Sequence, residues 1–136
     1  MDGSHPLAQL SASTVTTVRD AVPRLAFKSA AEAILQLAIS ANGHLNDTAP
    51  WSRMKQEGQE AAVGDDLYAV LEATRLVGVL LSPLVPDLSA RILAQLGHDP
   101  ITSDWDRQLS WGGLRPGASL PKPSPVMQRL ELDEPL

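Results

Sequence analysis

Few side chains in this sequence have types and spacings that could do chemistry. His5, His44 and His98 lie far apart, none has a second His at ligand spacing, and no H-E-x-x-H arrangement occurs. There is no Cys, so thiolate nucleophiles, disulfides and Cys-based zinc sites are excluded. The sequence is therefore read as having no metal site. Asp65/Asp66 and Asp104/Asp106 sit in polar runs and read as solvated helix starts or loop residues rather than as an acid–base pair. Serines are plentiful, but G-x-S-x-G is absent, and no residue is assigned a catalytic role. Gly58 to Gly64 lacks the Lys-Ser/Thr ending of a phosphate loop, and Trp111-Gly112-Gly113 follows no strand-then-helix pattern. Both stretches read as turns.

The exception is Trp51. It follows Pro50 at the start of a short predicted helix and precedes Arg53 and Lys55. A flat indole beside two cations suits single-stranded RNA, where an unstacked base lies on the ring and the cations meet phosphates. The same residue types also suit a Trp that fills a gap between helices, with Arg53 and Lys55 as ordinary surface charges. Chemistry alone leaves both readings open.

The chain around these residues is small and acidic. Its 136 residues, 43% of them hydrophobic, allow one domain with a moderate core and exclude a large multidomain enzyme. Eleven Lys and Arg against sixteen Asp and Glu give a formal charge of -5, without the broad basic footprint of most nucleic-acid binders. Any RNA contact must be local, and DNA is not an expected partner. Met1 to Leu10 has no apolar signal core, and the longest apolar run, interrupted by Gly78, falls far short of the ~20 residues that span a bilayer. The expectation is a cytoplasmic protein with no membrane contact.

The elements that must position Trp51 are helical. Apolar residues recur at helical spacing from Pro6 to Gly97, and the remainder is rich in proline. This predicts an all-α antiparallel bundle over 1–97 and an extended Pro-rich tail over 98–136, packed back on the bundle through Trp105, Trp111 and Leu130-Glu131-Leu132. The first helix is expected over Pro6 to Leu25, with Leu25 on its inner stripe. The second runs from Phe27 to about Asn46, with Phe27, Ala30, Ala31, Ile34, Leu37, Ala38, Ala41 and Leu45 inward. Thr48 offers a capping oxygen for a short helix from Pro50 to Glu57. Asp65 and Asp66 then open a central helix to Ser82, with Leu67, Val70, Leu71, Thr74, Val77 and Leu81 inward and Gly78 admitting a neighbour. Asp87 caps a last helix, and Gly97 ends it in a left-handed conformation. Trp111-Gly112-Gly113 forms a turn, and Val126 to Leu132 has the look of a short strand or extended segment.

The order of these blocks resembles a known family. Ala41-Asn42 through Asp47-Thr48-Ala49-Pro50-Trp51 is similar to the A-N-x-y-[IV]-D-x-x-A-P-W segment in the C-terminal helical domain of methionyl-tRNA synthetases. Leu67 to Glu72, Arg75, Leu80-Leu81-Ser82-Pro83 and Gln95-Leu96-Gly97 follow at the family's intervals. Trp111-Gly112, Pro116-Gly117 and Gln128-Arg129-Leu130-Glu131 resemble the end of the bacterial, especially cyanobacterial, enzymes.

The resemblance implies an anticodon-binding bundle in which Pro50 and Trp51 receive a base of the methionine tRNA, with Asn42, Arg53 and Lys55 as candidate supporting contacts. Gly43, His44 and Asn46 depart from the family pattern. Neither the H-I-G-H nor the K-M-S-K-S signature is present, so no cofactor is expected in this chain. ATP and methionine would bind the parent's catalytic domain, the second expected partner. The family's first bundle helix would lie upstream of Met1. A different class of function, a helical protein-interaction module derived from such a domain, is the alternative that the acidic balance suggests.

Overall fold

The computed structural model describes residues 5–101, 105–116 and 120–127. It contains five α-helices in the order α1 (Pro6–Ala21), α2 (Phe27–Thr48), α3 (Pro50–Arg53), α4 (Glu60–Leu81) and α5 (Pro86–Gln95), followed by a 3-10 helix (Trp105–Leu109). No strand occurs among the described residues. Of the strand or extended segment expected over Val126 to Leu132, Val126 and Met127 form no strand, and the remainder lies outside the described residues. Within the tail, expected to be extended, Trp105–Leu109 form a 3-10 helix, from which Trp105 and Leu109 pack on the core.

Helix α4 is the centre of the bundle and touches every other helix of it. Its buried face runs through Val63, Ala69, Glu72, Ala73, Leu76, Val77 and Leu80; Val77 is inward as expected, Val70 and Leu81 pack partly buried against the core, and Leu67 is exposed. Hydropathy misses part of this face because two of its inward residues, Glu72 and Arg75, are charged. The core is completed by Val18 and Ala21 of α1, Ala30, Ile34 and Leu37 of α2, and Leu93 of α5. Gly78 does admit a neighbour, since a Cβ there would lie 3.1 Å from both Ile92 and Leu93. Ser89 fixes the same crossing by donating its hydroxyl to the Gly78 carbonyl at 2.6 Å.

Helix ends differ from expectation for identifiable reasons. Helix α1 stops at Ala21, ahead of Pro23, and the chain turns through a left-handed Leu25 (φ 60°) that is exposed rather than inward. At the start of α2, Phe27 and Ala31 lie outward. Helix α4 begins at Glu60, five residues before Asp65, because Ala61 and Ala62 favour helix and Val63 reaches the core. Helix α5 starts at Pro86, whose missing N–H suits a first turn, so Asp87 lies inside the helix and Val85 is its N-cap. Gly97 takes φ 70° as expected, and His98 N–H donates back to the Leu93 carbonyl at 2.9 Å.

Candidate nucleic-acid interface

The segment that shows Trp51 is built from a reversal between two helices. Ala49 ends α2 and begins α3 in a left-handed conformation (φ 42°, ψ 64°), which turns the chain within one residue. Thr48 does not cap α3, because its hydroxyl donates to the His44 carbonyl one turn back in α2 at 2.8 Å. Pro50 is buried, while Trp51 keeps 57% of its surface in solvent and Met54 55%. The proline thus anchors α3 to the bundle, and the indole faces outward. The gap-filling reading of Trp51 fails on this exposure.

The supporting residues separate. Lys55 is exposed and forms no ion pair among the described residues, so it is free to meet an anion. Asn42 is exposed and lines a cleft of about 240 Å³ between α2 and α4 with Leu45, Val70 and Thr74. Arg53 is already engaged: its Nη1 donates to Asp66 Oδ2 at 2.6 Å and its Nη2 to Gln59 at 3.4 Å. Without RNA it holds α3 to α4.

Asp66 was missed as a functional candidate. It is not a solvated helix start but the meeting point of four elements, with 18% of its side chain exposed. Oδ1 lies 3.1 Å from His44 Nε2 and 3.5 Å from His5 Nε2, while Oδ2 takes Arg53. The two rings meet edge to face with centroids 4.9 Å apart. Burial pushes the Asp66 carboxyl upward, but bonds to Arg53, His44 and His5 outweigh it and hold the group below the ordinary aspartate range. The 38 residues between His5 and His44 carry no spacing signal for this meeting; only the packing of α1 on α2 produces it.

A second polar cluster fixes the tail. Glu72 and Arg75 are buried, and Arg75 Nε and Nη2 donate to the carboxylate at 2.6 and 3.0 Å. The carboxylate also accepts the backbone N–H groups of Gly112, Gly113 and Leu114, and Arg75 donates to the carbonyls of Gln108 and Ser110, both at 2.8 Å. Nearby, Tyr68 donates to the Leu114 carbonyl at 2.7 Å and Trp105 Nε1 to the Val79 carbonyl at 2.9 Å.

A helical bundle with a Pro-Trp pair at an inter-helix reversal is the arrangement that the resemblance to methionyl-tRNA synthetases implies. Comparison with known proteins makes the assignment specific. The family model described as the anticodon binding domain of methionyl tRNA ligase matches residues 4–135, and the chain belongs to that family. It is 39% identical to the methionine–tRNA ligase of Synechocystis sp., over 94% of this chain and 26% of the relative. It is 37% identical to the chloroplastic/mitochondrial methionine–tRNA ligase of Arabidopsis thaliana, over 94% of this chain and 21% of that protein. The crystal structure of free methionyl-tRNA synthetase from Mycobacterium tuberculosis superposes with a TM-score of 0.80 and 27% identity, covering 98% of this chain and 27% of that one. The chain spans about a quarter of the length of such relatives. No helix among the described residues is long and apolar enough to cross a membrane.

Proposed function

We propose that this chain recognises the anticodon of methionine tRNA for a methionyl-tRNA synthetase, and that Trp51 stacks on an anticodon base. The observation that carries this reading is the contrast between a buried Pro50 and a 57% exposed Trp51 within one four-residue helix. Leaving an indole in water forgoes its burial energy, which a stacking partner recovers. Lys55 meets a backbone phosphate beside the base, and Asn42 offers an amide to a neighbouring base edge. The work of this domain is recognition, so methionine and ATP are handled by the catalytic domain of the parent enzyme, in the cytoplasm.

The test is binding of a labelled anticodon stem-loop of methionine tRNA, read by fluorescence anisotropy. A base–aromatic stack contributes about 1–3 kcal/mol, so Trp51→Ala should weaken binding by about 5- to 150-fold. Equal affinity of the parent and Trp51→Ala for that loop sinks the stacking role.

A further inference from the structure

We infer that His5, His44 and Asp66 form a binding site for a zinc-like divalent cation that joins α1, α2 and α4. The sequence argues against a metal because these residues stand far apart, and the fold removes that objection. One ligand atom from each of the three residues lies within 4.8 Å of the other two, and all three side chains are partly buried. Zinc takes nitrogen and oxygen ligands at about 2.0–2.1 Å, which places tetrahedral ligand atoms about 3.3–3.4 Å from one another. The two carboxylate–imidazole separations here, 3.1 and 3.5 Å, bracket that edge length.

The surroundings suit such an ion. Arg53 holds the second carboxylate oxygen at 2.6 Å, the kind of outer hydrogen bond that orients a ligating carboxylate. Exposures of 17–22% leave an entry path and a fourth position for water. Two neutral imidazoles with one carboxylate favour zinc and its borderline neighbours over magnesium or calcium, which prefer all-oxygen shells. One local bond must be exchanged. Leu7 N–H donates to His5 Nδ1 at 3.1 Å, which puts the neutral ring's proton on Nε2. Ligation through Nε2 moves that proton to Nδ1 and so gives up the bond from Leu7 N–H at the helix start.

Cobalt(II) tests the proposal directly, because tetrahedral Co²⁺ absorbs strongly in the visible and zinc displaces it. The expected result is one equivalent of Co²⁺ giving a tetrahedral spectrum that Zn²⁺ bleaches, and loss of that spectrum in His5→Gln/His44→Gln. Absence of a tetrahedral spectrum at excess Co²⁺ near neutral pH would falsify the site, leaving a hydrogen-bonded His–Asp–His cluster. A spectrum that persists in a folded double variant also overturns it, because the ion is then held elsewhere. Circular dichroism establishes folding; should the double variant fail to fold, the same loss is required of His44→Gln. Stem-loop affinity of Trp51→Ala is measured separately, so the metal proposal and the stacking role fail independently.

Discussion

Replacing Glu72 by Gln tests whether the tail is held by the buried carboxylate. Glu72 is 0% and Arg75 1% exposed, so neither charge has water to fall back on. Oε1 accepts Arg75 Nε and Leu114 N–H; Oε2 accepts Arg75 Nη2, Gly112 N–H and Gly113 N–H. A glutamine keeps one carbonyl oxygen, so even in its better orientation its NH₂ group faces two buried donors. Each donor left unsatisfied costs about 1–3 kcal/mol, and removing one partner of a buried ion pair costs about 3–5 kcal/mol in all. For a domain of this size that lowers Tm by roughly 10–20 °C. The chain has an escape, which is to release residues 105–116 and let Arg75 reach water. Trp105 and Trp111 pack on the core from that segment, so their fluorescence should shift red before the helical circular dichroism signal falls. Urea unfolding of the parent, Glu72→Gln, Arg75→Met and the double variant gives the coupling between the two residues. A Glu72→Gln protein within about 1 kcal/mol of the parent would refute the reasoning, since no buried pair that matters could be broken so cheaply.

Two further outcomes follow from the same region. Gly113→Ala places a Cβ 2.5 Å from Arg75 Cζ, and because that guanidinium is pinned by Glu72 and two carbonyls it cannot step aside. A loss of about 1–3 kcal/mol is expected in urea unfolding, whereas a neutral result means the tail shifts freely over α4. Tyr68, the one tyrosine, is pushed above the ordinary tyrosine value by burial and by the Glu72 charge. Below about pH 10 it is protonated in both folded and unfolded chains and contributes nothing to pH dependence; above that the unfolded chain ionises first, so stability falls as pH rises. Tyrosinate absorbance of the folded protein should lag that of the urea-unfolded chain, and coincident curves would show that neither burial nor the Glu72 charge acts on the hydroxyl.

The bundle was legible because most of its stabilising residues are apolar and periodic: Ala30, Ile34, Leu37 and Ala41 of α2 are inward, as spacing requires. On α4 periodicity placed Val77 inward but missed Glu72 and Arg75, which occupy the buried face where no hydropathy rule places a charge. The start of α4 was hidden by Gly64, a residue that reads as a breaker yet sits within the helix with open space around its Cα. Pro50 and Trp51 were found through their pattern, but their division into an anchor and an exposed ring needed the left-handed Ala49. Asp66 had no local signature, because what distinguishes it is the convergence of His5, His44 and Arg53 from other elements.

The acidic balance acquires a different meaning once the cations are located. Arg19, Arg24, Lys28, Arg53 and Arg75 are each paired with a carboxylate within the fold. Arg53, one of the two cations placed to suggest a phosphate contact, is the one that fixes α3 through Asp66. Near Trp51 this leaves Lys55 as the free charge among the described residues. On single strands each neutralised phosphate contributes about -0.7 to the slope of log affinity against log salt. Stem-loop binding by this chain should therefore have a slope near -1, far shallower than a basic binder's. A slope of about -3 or steeper would mean that several more cations than Lys55 reach the RNA. A shallow slope that accompanies a large Trp51→Ala effect would instead show that this surface recognises its ligand through the ring, with charge held back for the fold.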